Sequence, residues 1–458
     1  MRESTTTPCL LFPELFDRPV LARFDQHHGS SDGGALLLKA ADRRLGLTAG
    51  LAAALIDRRQ SGKVAHELIE LLSQRIFAIA CGYPDANDAA RLGNDPIHKL
   101  LVGRDPIAGD TLASQPTLSR FENGLDRKAL YRMGETLADR VIDQQRKRLR
   151  GRAVSITVDL DVTDDPTHGV QQLAFFNGHY DSWCYLPLMG FVSFDEEPEQ
   201  YLVAALLRPG NAPTKLGTIG LLRRLLSRLG SAFPRARILV RLDGGFAAPD
   251  LFDFLEDEEV DYVVGMPANA VLERRVVSPM EQARELAQDS GQTEHVYTSF
   301  TYAAQSWSKK RRIIAKAEIV VAPGKEPKNN PRFLVSNLPQ RAEWIYERLY
   351  CRRGEIENRL KELHHGLEID RTSCSRFDAN QARVLLTAAA YALLQEIRRR
   401  AAGTACARAQ VSTLRERLLK IGVRVVASVR RIVLHLPVSF PFQSSWSRVA
   451  AQLGARAG

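Results

Sequence analysis

The sequence has 458 residues, of which 45% are hydrophobic and 25% are charged. This balance is typical of a folded protein and excludes a disordered chain, and the length predicts two or three domains. Lys and Arg number 63 against 53 Asp and Glu, and the resulting net charge of +10 favours a polyanionic partner, because each neutralised phosphate releases counterions.

The first 150 residues are predicted to be mostly helical. Apolar residues recur at three- and four-residue spacing in Ala35–Leu45, Val64–Cys81 and Lys128–Arg150. The basic run at 146–152 then predicts a domain boundary, although such runs are also common on solvated faces. We therefore expect a helical DNA-binding domain over residues 1–150.

The stretch Asp110–Asp126 holds the candidate DNA-binding element of this domain. Thr117 or Ser119 can cap a short helix here, and Gly124 can end it. Thr117, Ser119 and Arg120 at the start of a short helix are typical of a helix-turn-helix recognition element. An ordinary surface helix in a bundle explains these residues equally well, so both interpretations stay open.

A change of periodicity after Gly151 marks the start of a second domain. Apolar and polar residues alternate over 154–163, which predicts a strand with Asp159 and Asp161 on one face near its end. Three strands close in sequence, followed by alternating helices and strands, predict a mixed α/β sheet. The further elements are strands at Tyr185–Phe194, Tyr201–Leu207, Ile238–Leu242 and Asp261–Gly265, and helices at Leu216–Leu229 and Pro249–Glu258.

Residues 266–340 interrupt this order and predict a β-rich insertion. A long helix, Arg341–Leu367, then resumes the core, so the second domain is expected to span 151–378. Residues 379–458 are Arg-rich and are predicted to form a helical, basic C-terminal region. Within the insertion, the expected elements are a helix at Ser278–Ala287 and strands at His295–Tyr302, Arg312–Val321 and Arg332–Ser336.

Several common classes of protein are disfavoured by missing motifs. The six cysteines include no Cys-x-x-Cys pair, which argues against a zinc site, a redox motif or a disulfide framework. No N-terminal segment combines a basic start with an apolar core, and the apolar stretch Leu68–Cys81 is too short to span a bilayer, so a cytoplasmic protein is expected. No Gly-x-x-x-x-Gly-Lys-Ser/Thr motif and no Gly-x-Ser-x-Gly motif occurs, which argues against a nucleotide-driven motor and a serine hydrolase.

Asp243 is a candidate site residue because it follows the apolar run 238–240 and precedes two glycines. This position lies at the carboxyl end of a predicted strand, where the functional groups of α/β sheets collect. Asp-Gly-Gly is also a common turn, and for Asp243 alone the plain turn is the favoured interpretation.

The predicted long helix carries two neighbouring stripes of side chains, taking about 100° per residue. The apolar stripe consists of Leu349, Ile356, Leu360, Leu363 and Leu367. The polar stripe consists of Tyr350, Arg353, Glu357, Lys361 and His364. Half-buried functional side chains lie at such a border, and this favours a functional Glu357 over the alternative of a surface ion pair with Lys361.

Carboxylates with nearby arginine and tyrosine suit phosphodiester chemistry. In-line transfer at a phosphodiester benefits from two Mg²⁺ ions, which activate the attacking oxygen and stabilise the leaving oxygen. Such ions bind carboxylate oxygens and keep several waters, so two or three Asp or Glu residues suffice. Arg and Tyr side chains can hold the non-bridging phosphate oxygens.

The helix residues resemble a motif of a known family. Tyr350-x-x-Arg353-x-x-x-Glu357 resembles the motif around the catalytic Glu in a large branch of bacterial insertion-sequence transposases, the DDE type with a ribonuclease H-like core. That branch usually has a Lys seven residues after the Glu. This sequence has His364 there, and Lys361 four residues after the Glu.

Two further motifs occur in the family's order. Asp161–Thr163 resembles the first-Asp motif, and Leu242–Phe246 resembles the second. The stretches 164–169 and 175–180 resemble a subgroup of these enzymes, and the resemblance runs from about residue 10 to residue 442.

The resemblance implies an α/β, ribonuclease H-like mixed-sheet core with a β-rich insertion, flanked by helical N- and C-terminal regions. Asp161, Asp243 and Glu357 are then the catalytic, metal-binding carboxylates, with Asp159 as the alternative to Asp161. The implied phosphate-binding residues are Tyr350, Arg353 and Lys361.

The implied activity is cut-and-paste DNA transposition, with cleavage and strand transfer at the terminal inverted repeats of a mobile element. The implied cofactor is Mg²⁺ or Mn²⁺, as two ions, and the implied partners are the terminal-repeat and target duplexes. A homodimer on paired ends, in the bacterial cytoplasm and associated with the nucleoid, is expected. Trp307 in the insertion is a candidate for stacking on a flipped base, with a strand-face Trp as the alternative. The other function classes are a catalytically inactive, transposase-derived DNA-binding protein and a simple nuclease of the same fold.

Overall fold

The structure, a computed structural model, describes residues 9–456, so the parts of the predicted regions at 1–8 and 457–458 lie outside it. The N-terminal region is mostly helical, as predicted, and begins with short strands. The strands are β1 (Cys9–Leu11), β2 (Val20–Ala22) and β3 (Gly29–Ser30). The helices are α1 (Leu36–Leu45), α2 (Leu47–Ala53), α3 (Leu68–Ala80), α4 (Ala89–Leu92), α5 (Pro96–Val102), α6 (Gln115–Gly124) and α7 (Arg127–Leu149).

Helix α6 begins earlier than the sequence predicts. Ser114 is the residue before its first turn, so Thr117 and Ser119 lie inside the helix, and the predicted capping by either of them is wrong. Pro116 explains the earlier start, because proline is tolerated in the first turn of a helix, where its missing N–H has no intrahelical partner. Residues 103–114 separate α5 from α6, which is longer than the three- or four-residue turn of a helix-turn-helix.

The central region alternates strands and helices as the change of periodicity predicts. Its first strands are β4 (Ser155–Val162), β5 (Asp165–Pro166), β6 (Phe175–Asn177), β7 (Ser182–Tyr185), β8 (Leu188–Phe194) and β9 (Tyr201–Leu206). They are followed by α8 (Thr218–Ala232), β10 (Arg237–Leu242), α9 (Pro249–Asp257) and β11 (Asp261–Met266). The insertion holds α10 (Ala270–Arg275), α11 (Val277–Ser290), β12 (Glu294–Tyr302), β13 (Arg311–Val320), β14 (Lys328–Asn329) and β15 (Arg332–Ser336).

A long helical segment and a C-terminal region complete the chain. The segment consists of α12 (Ala342–Trp344), a π-helical turn (Ile345–Tyr350), a 3-10 turn (Cys351–Gly354), α13 (Glu355–Lys361) and a second π-helical turn (Glu362–Gly366). We call residues 342–366 the site helix. The C-terminal elements are α14 (Phe377–Arg400), α15 (Val411–Leu414), a π-helical turn (Arg415–Leu419), β16 (Val423–Ala427), β17 (Ile432–His435) and α16 (Gln443–Leu453).

A mixed sheet of nine strands forms the centre of the molecule and confirms the predicted α/β class. Its order is β12-β13-β15-β11-β10-β4-β8-β9, with β14 beside β13. Strands β4, β10 and β11 are parallel, whereas β8, β9 and β15 pair antiparallel with their neighbours. The strands of the insertion therefore extend the central sheet. Because β4 and β10 are adjacent and parallel, their carboxyl ends meet at one edge.

The prediction that residues 379–458 are all helical is wrong in part. Strands β16 and β17 form an antiparallel hairpin, and β16 also pairs with β3 near the N-terminus. Val423, Val425 and Val426 in β16 and the apolar residues of β17 are largely β-branched, and such residues lose rotamer freedom in a helix and pack well in a strand.

Helix α14 lies at the centre of the hydrophobic core and joins the regions of the chain. It packs against α3 and α7 of the N-terminal region and against β9 of the sheet. Most of its residues are buried on every side, and one continuous cluster of apolar residues extends from α1 through the sheet to α16. None of the helices within residues 9–456 is long and apolar enough to cross a membrane.

Candidate active site

Two aspartates lie side by side at the carboxyl edge of the sheet, bound to one arginine. Asp161 is the second-last residue of β4, and Asp243 directly follows the neighbouring strand β10. The Nη2 atom of Arg353, on the site helix, lies 2.9 Å from Oδ1 of Asp161 and 3.2 Å from Oδ2 of Asp243. The structure therefore brings together three residues that the sequence separates by up to 192 positions (353 − 161).

Burial makes negative charge costly at Asp161. Only 9% of the residue is exposed, and burial raises the pKa of its carboxyl to about 6. The charge of Arg353 acts against this rise in pKa, and the nearby charge of Asp243 adds to it. The pair of carboxylates therefore has more negative charge than Arg353 alone compensates.

The turn that carries Asp243 is packed tightly against the neighbouring strand. The Oδ1 atom of Asp243 accepts a hydrogen bond of 2.8 Å from the N–H of Gly245, which fixes the carboxylate. A Cβ atom at Gly265 of β11 would lie 2.6 Å from the nitrogen of Gly244 and 2.7 Å from the hydroxyl oxygen of Tyr350. Glycine at 265 is thus required for the turn and Tyr350 to approach each other.

The site helix follows the predicted long helix in extent but not in regularity. Its π-helical and 3-10 turns change the rotation per residue, so a stripe drawn at a constant angle shifts along its length. Ile356, Leu363 and Leu367 are buried as predicted, whereas Leu360 is only half-buried. Of the polar stripe, Tyr350, Arg353 and His364 are half-buried, and Glu357 and Lys361 are exposed.

Glu357 lies between two points at which the site helix is fixed to the carboxyl edge of the sheet. Four residues before it, Arg353 binds the two aspartates. Seven residues after it, Nε2 of His364 lies 2.9 Å from the hydroxyl oxygen of Thr163. The carboxylate of Glu357 itself is exposed, and among the described residues it forms no ion pair or hydrogen bond with Arg353, Asp161 or Asp243.

Asp159, the alternative to Asp161, is held in a buried ion pair. Arg241 of β10 donates to both of its carboxylate oxygens at 2.6 and 2.7 Å, and Gln200 donates a third hydrogen bond of 3.1 Å. The remaining Nη1 of Arg241 donates to the carbonyl of Leu349 at 2.6 Å. Asp159 therefore supports the start of the site helix and has no free oxygen directed into the site.

Trp307 lies away from the two aspartates. Its ring makes edge contacts with Phe252 of α9 and with Tyr302, and the guanidinium of Arg311 lies over it. Strand β13 begins shortly after Trp307, and its residue Arg312 pairs with Ser336 at the end of β15. Ser336 in turn pairs with Val263, which lies in the first half of β11. The two aspartates lie at the opposite, carboxyl ends of the parallel strands, so the structure does not bring Trp307 to this site.

The residues predicted to bind DNA in the N-terminal region lie at a separate groove. Thr117 and Arg120 of α6 line a groove of about 420 Å³ together with Arg58, Arg59 and Arg132. Arg120 donates to the hydroxyl of Thr117 at 3.2 Å, and Ser119 is half-buried. Two of the four arginines are paired with aspartates of the same lining, Arg59 with Asp57 at 2.7 Å and Arg58 with Asp126 at 3.4 Å. Arg120 and Arg132 have no carboxylate partner among the described residues and could contact a phosphate.

A second, buried cluster has the residue types of a metal site. In residues 9–456, Asp32, Cys81 and His98 are a group of three whose ligand atoms lie within 4.8 Å of one another, and the three catalytic candidates are not such a group. Lys420 lies 2.7 Å from one oxygen of Asp32, and Nε2 of His98 lies 2.9 Å from the other. Burial raises the pKa of the Cys81 thiol well above its usual range. The carboxylate is thus already paired and the thiol is protonated, which fits a structural network between the N- and C-terminal regions.

The sequence reasoning missed a small sheet beside the site. Strands β5, β7 and β6 form a three-stranded sheet directly after β4. Its turn carries Tyr180, whose pKa is raised to about 12 by burial and then by the charges of Asp164, Asp161 and Asp243. The alternating residues of 175–185 contain the signal for this hairpin, although the aromatic content there also fits a buried loop.

A mixed sheet of nine strands among many helices, with two aspartates at its carboxyl edge, is consistent with an α/β domain of the DDE type. The family described as "Transposase DDE domain group 1" matches residues 12–457, so the chain belongs to this family and the predicted DDE transposase identity is confirmed. No curated protein matches the sequence. The family has DNA as its substrate and uses divalent metal ions.

Proposed function

We propose that this protein cleaves DNA at the terminal inverted repeats of a mobile element and joins the freed 3′ ends to target DNA, in cut-and-paste transposition. The binding of one Arg353 guanidinium to both Asp161 and Asp243 carries this proposal, because it places a phosphate-binding group at paired carboxylates. We also propose a ribonuclease H-like core. The order β9-β8-β4-β10-β11 supports it, with the first three strands antiparallel and the last two parallel to β4.

The carboxylates fit a hard divalent cation. Asp161 and Asp243 share Arg353, and this guanidinium is their only counter-ion among the described residues. Burial, with a smaller contribution from the charge of Asp243, raises the pKa of Asp161 to about 6, so a further cation would stabilise its ionised form. Asp161, Asp243 and the exposed Glu357 would hold Mg²⁺ or Mn²⁺, as two ions, through carboxylate oxygens. When bound, such ions activate the attacking oxygen and stabilise the leaving oxygen of the phosphodiester.

The other side chains of the site helix would position the DNA strand. Arg353 and Tyr350 lie at the turn that carries Asp243, where they can hold a non-bridging phosphate oxygen. Lys361 lies one turn beyond Glu357 and is exposed, so it can contact the next phosphate along the strand. The hydrogen bond from Arg241 to the carbonyl of Leu349 holds the site helix just before Tyr350, the first of these three DNA-binding side chains.

The catalytic assignment is tested with Asp161→Asn, Asp243→Asn and Glu357→Gln in Mg²⁺ on duplexes that carry the element's ends. Each variant should lose at least about 1,000-fold in cleavage rate while its affinity for the same duplex stays within about threefold. Glu355→Gln is the matched control, because Glu355 is on the same helix but lines a groove on another face with Arg237 and Arg352. Cleavage by Glu357→Gln at the rate of the unmodified protein would refute the role of Glu357.

The same assay separates the other function classes. Cleavage without joining to a target duplex would favour a simple nuclease, and binding without any cleavage would favour a catalytically inactive DNA-binding protein. A homodimer on paired ends is part of the proposal, and it predicts that cleavage rises with the second power of protein concentration below saturation.

We also propose that helix α6 binds the terminal repeats through Thr117, Ser119 and Arg120, of which Thr117 and Arg120 line the N-terminal groove. Arg120→Ala in the full chain should weaken binding and reduce the slope of log affinity against log salt by about one, because one phosphate contact is lost. Arg274→Ala is the control, since Arg274 is exposed on α10 and lies outside this groove. An unchanged salt slope in Arg120→Ala would exclude Arg120 from the interface.

A further inference from the structure

Two exposed aromatic rings stand on the small sheet beside the active site. Phe176 of β6 and Trp183 of β7 are directly opposite each other across the pair of strands, with ring centroids 6.4 Å apart. Phe176 is 52% exposed and Trp183 is 59% exposed. Large aromatic side chains are usually buried, so a neighbouring exposed pair marks a binding surface.

The backbone beneath these rings is firmly held. The carbonyl of Trp183 accepts hydrogen bonds from the N–H and the hydroxyl of Thr167, at 2.8 and 3.0 Å. The side chain of Asn177, next to Phe176, donates to the carbonyl of Gly210 at 2.9 Å. A Cβ atom at Gly210 would lie 2.0 Å from the carbonyl oxygen of Cys184, so the chain packs directly on the hairpin. The exposure of the two rings is therefore fixed by the fold.

The β6–β7 hairpin lies between β4, the strand that bears Asp161, and β8, the strand that pairs with it. Strand β7 leads into β8, which pairs with β4 so that Asp161 is opposite Met189. The N–H of Thr163 donates to the carbonyl of Pro187 at 3.1 Å, close to the end of β7. The charges of Asp161 and Asp243 also contribute to the raised pKa of Tyr180 in the hairpin turn. The hairpin that carries the aromatic pair is thus joined, by the chain and by this hydrogen bond, to the strand that bears Asp161.

We propose that Phe176 and Trp183 form a stacking surface for unpaired nucleobases of the DNA strand that is held at Asp161 and Asp243. Every base has a flat π-face that stacks on an aromatic ring, and an enzyme that reaches a phosphodiester at a duplex end gains by holding the adjoining bases apart. The net charge of +10 and the phosphate-binding Arg353 favour a nucleic acid over a second copy of this basic chain as the occupant. The inference rests on the proposed function, since it takes its ligand from the same site.

The test compares two fluorescein-labelled probes without divalent metal, so that no cleavage occurs. One is a duplex with a short unpaired thymidine tail, and the other is the same duplex with a blunt end. Trp183→Ala and Phe176→Ala should each weaken binding of the tailed duplex about tenfold and change blunt-duplex binding less than twofold. Trp183→Phe should restore most of the loss, because it keeps a stacking ring. Trp344→Ala is the matched control, since this exposed Trp begins the site helix and lines a groove at the other edge of the sheet.

A second readout detects stacking itself. A 2-aminopurine in the unpaired tail should be quenched by the unmodified protein and by Trp183→Phe but not by Trp183→Ala. Equal affinity of Trp183→Ala for the tailed probe, or an equal loss on both probes, would overturn the proposal. A dimer that dissociates in Trp183→Ala with unchanged DNA affinity would also overturn it and assign the surface to a second copy. Cleavage that requires Asp161, Asp243 and Glu357, together with unchanged affinity of Trp183→Ala for the tailed duplex, would reject this inference and leave the proposed function intact.

Discussion

The imidazole of His364 connects the site helix by a hydrogen bond to Thr163, the residue that follows strand β4. Its Nε2 lies 2.9 Å from the hydroxyl oxygen of Thr163, and its Nδ1 lies 3.3 Å from a carboxylate oxygen of Asp370. Thr163 is two residues after Asp161, and His364 is seven residues after Glu357. The site helix cannot slide along the sheet without breaking this contact, so it sets the position of Glu357 relative to Asp161.

This contact predicts that His364 acts as a positioning residue. His364→Ala should lower the cleavage rate about tenfold with little change in DNA affinity, because a lost positioning hydrogen bond affects the aligned state most. His364→Lys should retain more activity, since an ammonium can both donate to Thr163 and pair with Asp370. His365→Ala is the control, as its side chain is exposed one residue further on. A cleavage rate for His364→Ala equal to that of the unmodified protein would contradict the assignment.

The buried pair of Asp159 and Arg241 predicts a large and asymmetric effect on stability. Asp159→Asn leaves the charge of a buried Arg241 uncompensated and should lower the free energy of unfolding by about 3–5 kcal/mol. The double variant Asp159→Leu/Arg241→Met should be more stable than Asp159→Asn, because no unpaired charge remains in it. Urea denaturation of the unmodified protein, Asp159→Asn and the double variant measures the three free energies of unfolding. A double variant less stable than Asp159→Asn would contradict the prediction.

Local sequence patterns predicted the strands and the two aspartates well. Alternation over 154–163 gave a strand with Asp161 near its end, and β4 ends at Val162. The apolar run before Asp243 predicted its place at the end of β10. The first prediction succeeds because the direction of a strand side chain follows from its period of two, and the second because a short apolar run followed by glycines marks the end of a buried strand.

Contacts between distant segments and the exact phase of the site helix could not be predicted in this way. Arg241 reaches Asp159 across 82 positions, and nothing local in either segment indicates this pair. Leu349 and Leu360 of the predicted apolar stripe are only half-buried, and the π-helical and 3-10 turns depart from the constant rotation that the prediction assumes. The place of Trp307 depends on the register of β13 with β15, which a single sequence does not specify.

Asp165 predicts how stability depends on pH. The residue is 1% exposed, and burial, against a hydrogen bond from Thr372, raises the pKa of its carboxyl to about 8. The folded protein therefore keeps this proton over a range in which the unfolded chain, with its ordinary lower pKa, has released it. Its contribution to stability is full below the unfolded pKa and is lost as pH rises towards about 8.

Asp165→Asn should remove this dependence. The asparagine carbonyl can still accept the hydrogen bond from Thr372. Between about pH 5 and pH 7, the free energy of unfolding should fall less steeply with rising pH in the variant than in the unmodified protein. The difference between the two slopes should be about 1.4 kcal/mol per pH unit. Chemical denaturation across this range measures the difference, with Asp164→Asn as the control for loss of a neighbouring carboxylate. Parallel curves for Asp165→Asn and the unmodified protein would show that Asp165 does not hold the proton.

The close packing at Gly265 predicts a variant that folds but cleaves slowly. In Gly265→Ala the new methyl group would meet the backbone nitrogen of Gly244 and the hydroxyl of Tyr350, so the turn that carries Asp243 must move. A displacement of about 1 Å at a reacting group costs about 100-fold in rate. Because Tyr350 is itself proposed to hold a phosphate, the comparison is made within a Tyr350→Phe background, where one of the two clashes is absent and Gly265→Ala should cost less than it does in the unmodified protein. Gly230→Ala is the control, because a Cβ atom there meets nothing within 4 Å, and alanine is favoured over glycine inside helix α8. A Gly265→Ala protein that cleaves at the unmodified rate would show that the Asp243 turn tolerates the added methyl group, and the requirement for glycine at this position would then be refuted.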